Sequence, residues 1–104
     1  MNTITIRGKE YTAKPCPHLV LLKSYLIAEK MDEVQKEVDQ PEKADEYGKL
    51  WLDYCECFLV EDVSDLAVTK IEEWERQELV GFFVSRAAST TKKPDDGKKT
   101  SGDS

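Results

Sequence analysis

Residues 3–14 read Thr-Ile-Thr-Ile-Arg-Gly-Lys-Glu-Tyr-Thr-Ala-Lys. Ile4 and Ile6 alternate with Thr3, Thr5 and Arg7, and Tyr11 and Ala13 alternate with Glu10, Thr12 and Lys14. Alternation with period two on both sides of Gly8-Lys9 predicts a β-hairpin. Glycine at the first central position suits a type II′ turn. In that register Arg7 faces Glu10, Ile6 faces Tyr11 and Ile4 faces Ala13, with every apolar residue on one face. A lone two-stranded hairpin is marginal in water, so this face must be covered by the rest of the chain.

The rest reads as helix. Pro15-Cys16-Pro17 ends the strand, because proline cannot donate to the ladder, and Pro17 suits the first position of a helix. A first helix is expected from 17 to about 38, with Val20, Ile27, Met31, Val34 and Val38 in helical spacing and Leu19, Leu22 and Leu26 on a neighbouring stripe. Its apolar first half should be buried on several sides, under the hairpin. Pro41 opens a second helix to about residue 60, on which Ala44, Tyr47, Trp51, Tyr54, Cys55 and Phe58 share a face. Gly48 weakens it by about 1 kcal/mol relative to alanine and would suit close approach of another helix. An acidic connector, Glu61-Asp62-Val63-Ser64-Asp65, has Leu66 and Val68 as anchors and fits a short helical turn. Thr69-Lys70-Ile71-Glu72 matches a capping box. A third helix should follow from 70 to 87, with Ile71, Trp74, Leu79, Phe82, Phe83 and Arg86 inward and Val80 and Val84 beside them. Ser89–Ser104 holds no large apolar residue and reads as a disordered polar tail. The expected architecture is therefore mainly α (α+β): a hairpin and three helices in residues 1–88, then a tail over 89–104.

Composition narrows the function. The chain has 104 residues, 39% hydrophobic and 35% charged, with a net charge of −6. A nucleic-acid binder needs a basic footprint, which this balance lacks. No apolar run approaches the roughly 18 residues of a membrane span. Met1-Asn2-Thr3-Ile4-Thr5 lacks the pattern of a signal peptide, so a cytosolic location is expected. Charge is also uneven: residues 1–23 hold four basic and one acidic residue, and residues 29–78 hold six basic and seventeen acidic. This opposition could support head-to-tail self-association.

No pattern points to catalysis. Phosphate-binding glycine loops, H-E-x-x-H and G-x-S-x-G are all missing, and His18 is the lone histidine. The expectation is a protein that is not an enzyme and holds no metal or cofactor. Cys55-Glu56-Cys57 is a C-x-C; on a helix its thiols point about 200° apart, so they cannot share a metal there. Cys16, Cys55 and Cys57 read as small apolar residues. Glu72, Glu73, Glu75 and Glu78 read as a wet helix surface. Aromatic loading on the last two helices is the feature with most functional weight. Trp51, Tyr54, Phe58 and Trp74 are the partner-facing candidates, although a small core also needs such rings.

The Ile-Thr-Ile-x-Gly-Lys-x-Tyr hairpin, the Leu19–Leu22 helix start, and Ile71-Glu72-Glu73-Trp74 with Leu79–Phe83 resemble, in layout, the tail assembly chaperones of long-tailed bacteriophages. The resemblance covers residues 3–87 and rests on no single motif. It implies a protein of the infected bacterium's cytoplasm that coats the tape measure protein and keeps its apolar helices soluble until tail tube protein polymerises around it. It also implies a longer product made by −1 ribosomal frameshifting, for which the codons of Lys92-Lys93 or Lys98-Lys99 could supply the slip. The other class of function open to this sequence is a small acidic adaptor or inhibitor that binds one protein partner.

Overall fold

The computed structural model describes residues 2–90. The expected tail lies outside the described residues from position 91 onward. Strands β1 (Thr3–Ile6) and β2 (Lys9–Thr12) form an antiparallel hairpin. Helix α1 (His18–Val34) leads through a 3-10 turn (Gln35–Glu37) into α2 (Pro41–Phe58). A second 3-10 turn (Ser64–Leu66) precedes α3 (Glu73–Thr90). The hairpin, the three helices and the helical turn in the acidic connector are thus as the sequence predicts. Ser89 and Thr90 continue α3 rather than beginning the tail.

The hairpin register differs from the expected one by two residues. Thr3 pairs with Thr12, Ile4 with Tyr11, Thr5 with Glu10 and Ile6 with Lys9. The turn is Arg7-Gly8, with φ of 52° and 81°. Both central residues are left-handed, as a type I′ turn requires, and this twist matches that of the strands. A shift of two preserves the side-chain alternation, so Ile6 and Tyr11 still face inward and are buried. The Lys9 ammonium now lies 5.1 Å from the centre of the Tyr11 ring.

The hairpin is completed by the chain that leaves α2. Ala13 and Leu59 form an antiparallel bridge. The Lys14 N–H donates to the Phe58 carbonyl at 2.8 Å, and the Val60 N–H donates to the Thr12 carbonyl at 3.0 Å. The outer edge of β2 is therefore occupied, as an exposed edge strand must be if it is not to pair elsewhere.

Helices α1 and α2 form an antiparallel pair joined by a short connection. Leu21, Ser24 and Ile27 of α1 are buried. The Ser24 hydroxyl donates to the Leu21 carbonyl one turn back at 2.7 Å, which satisfies a group that would be costly to bury alone. The core joins α2 to α3 through rings. Phe58 stacks on Phe83 at 4.9 Å and 12°, and Tyr54 meets both edge-on at 5.4 and 5.5 Å. The buried indole N–H of Trp51 donates to the Leu66 carbonyl at 2.7 Å. That bond anchors the acidic connector to α2.

Two features of α3 depart from expectation. The helix begins at Glu73, not at residue 70. Glu72 is the residue before the first turn, and its N–H is bound by the carboxylate of Glu75 at 2.8 Å. That is the glutamate half of a capping box, three residues later than the Thr69–Glu72 frame. The buried face consists of Glu75, Leu79, Phe83 and Ala87, at strict four-residue spacing. Trp74 and Val84 lie outside it and are exposed.

Gly48 faces Val68 of the connector rather than another helix, and an added Cβ would sit 3.8 Å from its Cγ2, an ordinary contact. At Gly81 an added Cβ meets nothing within 4 Å. Gly48→Ala and Gly81→Ala should each stabilise the fold by about 0.5–1 kcal/mol. Phe83→Ala should cost about 3–5 kcal/mol. Urea denaturation of the three variants against wild type measures all of these.

Candidate functional site

Two carboxylates hold the hairpin to the helices. Glu75 is buried. It accepts from Arg7 Nε at 2.9 and 3.1 Å and from a terminal guanidinium nitrogen at 2.9 Å. This fork-to-carboxylate geometry is the strong form of the arginine pair. Glu61 accepts from the Thr12 N–H at 2.6 Å and the Thr12 hydroxyl at 2.8 Å. Arg7 and then the Glu72 N–H hold the Glu75 carboxyl below its ordinary range. The Thr12 N–H and then its hydroxyl do the same for Glu61. The expected Arg7–Glu10 pairing is replaced by Arg7–Glu75, and Glu75 does not belong to a solvated run. The sequence carried one signal of this: Glu75 keeps four-residue spacing with Leu79 and Phe83.

Helices α1 and α3 both pack on α2 and leave a trough between them. Its floor is Tyr47, Trp51 and Tyr54, with Ala28 and Met31 on one wall and Val80 and Arg76 on the other. It opens past Tyr47 and Arg76 into a cavity of about 610 Å³ bounded by Val38, Ala44 and Val68. Arg76 is held at the mouth by Glu73, through bonds of 2.9 and 2.7 Å. Arg76 and then the Gln77 side chain lower the Glu73 carboxyl to about 2. The trough is mainly apolar with a polar rim, which is the chemistry that receives an amphipathic helix.

The expected partner-facing residues separate on this geometry. Trp51, Tyr54 and Phe58 are buried at 0%, 8% and 1% exposure. Each is packed into the aromatic core, so little of these rings reaches the surface. Trp51 and Tyr54 still shape the trough from beneath. Trp74 alone of the four is open, at 59%.

The first half of α1 overturns a second expectation. Leu19, Leu22 and Leu26 are exposed at 77%, 43% and 63%, not covered by the hairpin. The hairpin packs instead against α3 and the end of α2. Helical spacing places this stripe about half a turn from Ala28 and Met31, on the side of α1 away from the trough.

Cys16, Cys55 and Cys57 are buried free thiols. Burial pushes the Cys55 and Cys57 thiols up, so both stay protonated and unreactive at neutral pH. Among the described residues, no three His, Cys, Asp or Glu side chains converge where they could hold a metal. No described helix is long and apolar enough to cross a membrane. Compared with known proteins, the chain matches no family model, no curated protein and no solved structure.

Two outcomes follow from the site geometry. Iodide should quench only one of the two tryptophan emissions, and Trp74→Phe should remove the quenchable part while leaving the Trp51 emission. The folded-state depression of the Glu61 and Glu75 carboxyls stabilises the protein above their ordinary pKa of 4.5. That stabilisation is lost as pH falls from there through the lower folded values. Glu75→Gln should therefore melt below wild type at pH 7, with the difference shrinking towards about pH 3, as read by thermal melts across that range.

Proposed function

We propose that this chain is a non-enzymatic assembly chaperone of the phage-tail type, acting in the cytoplasm of an infected bacterium. Its client is the tape measure protein, whose apolar helices it keeps soluble before tail tube protein closes around them. The observation that supports this most is the trough between α1 and α3. It is floored by Tyr47 and lined by Met31 and Val80. A client helix laid there would become the fourth member of a helical bundle and bury its apolar face against α2. The chain's net charge of −6 keeps the coated filament dispersed by like-charge repulsion. The resemblance in layout supports the same reading, and a frameshifted longer product fits it.

Coexpression tests it. The tape measure protein should precipitate alone and stay in the soluble fraction with the wild-type chain, and the complex should survive high salt. Val80→Glu should fold, as judged by circular dichroism, yet leave the client in the pellet. Release of the client by salt would favour the acidic adaptor instead, since exposed charge pairing is screened. Failure of the wild-type chain to solubilise the client would overturn the chaperone reading.

A further inference from the structure

We propose that the outer edge of β1 pairs with β1 of a second copy of this chain, antiparallel about a two-fold axis at Ile4, so that the two hairpins join into one sheet. The hydrogen-bond pattern of the hairpin shows which groups are available. The Ala13 N–H donates to the Asn2 carbonyl at 2.6 Å, which makes residues 2 and 13 a hydrogen-bonded pair. Such pairs alternate along an antiparallel ladder, so Ile4–Tyr11 and Ile6–Lys9 are the next ones. Thr3 and Thr5 therefore turn their N–H and C=O groups away from β2. The same alternation is visible on β2, where Thr12 turns its N–H to Glu61 and its carbonyl to Val60.

The two edges of the hairpin differ in how they are filled. The edge of β2 is occupied by Glu61 and the segment after α2. Among the described residues, nothing bonds to the outward backbone groups of Thr3 or Thr5. Buried backbone groups are nearly always paired, so these face water, in keeping with the exposure of Asn2, Thr5 and Arg7. Edge strands are commonly protected by proline, lysine or a bulge. β1 reads Thr-Ile-Thr-Ile in unbroken register and has none of these.

The choice of a second copy comes from the edge itself. An open edge takes an extended strand, and Thr3-Ile4-Thr5 reads the same in both directions about Ile4. An isologous interface needs that self-complementarity. Antiparallel pairing at Ile4 sets Thr3 of each copy against Thr5 of the other, and each such pair exchanges both backbone bonds. Ile4 then meets Ile4 at the closer, non-hydrogen-bonded position. Ile4 is only partly buried against its own core, and the second Ile4 covers more of it. A parallel two-fold pairing would turn the inner faces of the hairpins to opposite sides of the sheet and leave Ile4 without this neighbour.

Charge does not drive the contact. β1 holds no charged side chain, and the net charge of −6 on each copy opposes association. Added salt screens that repulsion, so association should tighten with ionic strength. So short an edge buries far less than a standard interface, and the dissociation constant should be on the order of 100 μM.

Sedimentation velocity and amide hydrogen exchange by NMR on the full chain, up to about 1 mM, test the proposal. Wild type should move from monomer to twice the monomer mass, more readily at high salt. The Thr3 and Thr5 amides should gain protection as the dimer forms. Thr3→Lys with Thr5→Lys sets lysine against lysine twice and should weaken association roughly tenfold, with an unchanged circular dichroism spectrum. Thr3→Glu with Thr5→Lys sets opposite charges together in the same register and should restore it. A wild-type chain that stays monomeric over the whole range would overturn the proposal. So would a dimer that salt dissolves, or one in which Thr3 and Thr5 stay unprotected. Failure of the Glu–Lys variant to associate better than the Lys–Lys variant would overturn the antiparallel register.

Discussion

The carboxylate of Glu75 ties the tip of the N-terminal hairpin to the start of α3, and the orientation of both depends on it. It sits in the first turn of α3, binds the Glu72 N–H that would otherwise be free, and takes a forked pair of bonds from Arg7 at the hairpin tip. One group thus starts a helix, fixes its rotation and holds a turn residue in the left-handed conformation that a side chain other than glycine seldom adopts. A buried ion pair is weak evidence for stability, because desolvation offsets much of the attraction. Here its effect is on geometry. With Glu75 turned inward, Leu79, Phe83 and Ala87 must follow it into the core at four-residue spacing, and Trp74 must face outward.

The second clamp acts at the other edge of the hairpin. Glu61 and the Phe58–Val60 segment use the outward-pointing groups of Thr12 and Lys14. A two-stranded ribbon would be marginal by itself. It persists because one strand edge is taken up by backbone and carboxylate, and its apolar residues Ile6 and Tyr11 are buried in the common core. The hairpin therefore lies over the α3 side of α2, and this leaves the start of α1 without a cover.

That displacement leaves two apolar surfaces open to solvent. The trough between α1 and α3 and the leucine stripe lie on opposite sides of α1. Both surfaces occur on a chain with a net charge of −6.

The sequence alone determined the hairpin, the three helices and the apolar side of the strands, because these follow from local periodicity, proline positions and turn chemistry. It also marked the rings of α2 as candidates for the core. It did not settle which turn closed the hairpin, since Gly8 satisfies either frame and the deciding partner of Arg7 lies 68 residues away. Nor did it settle the rotation of α3, since Trp74 on one side and Glu75 on the other argue oppositely until the Arg7 pair makes burial of the carboxylate acceptable. The fate of Leu19, Leu22 and Leu26 was decided by the same long-range contacts. Apolar spacing says that a face seeks cover, but which element covers it depends on where the hairpin is pinned, and only the tertiary structure sets that.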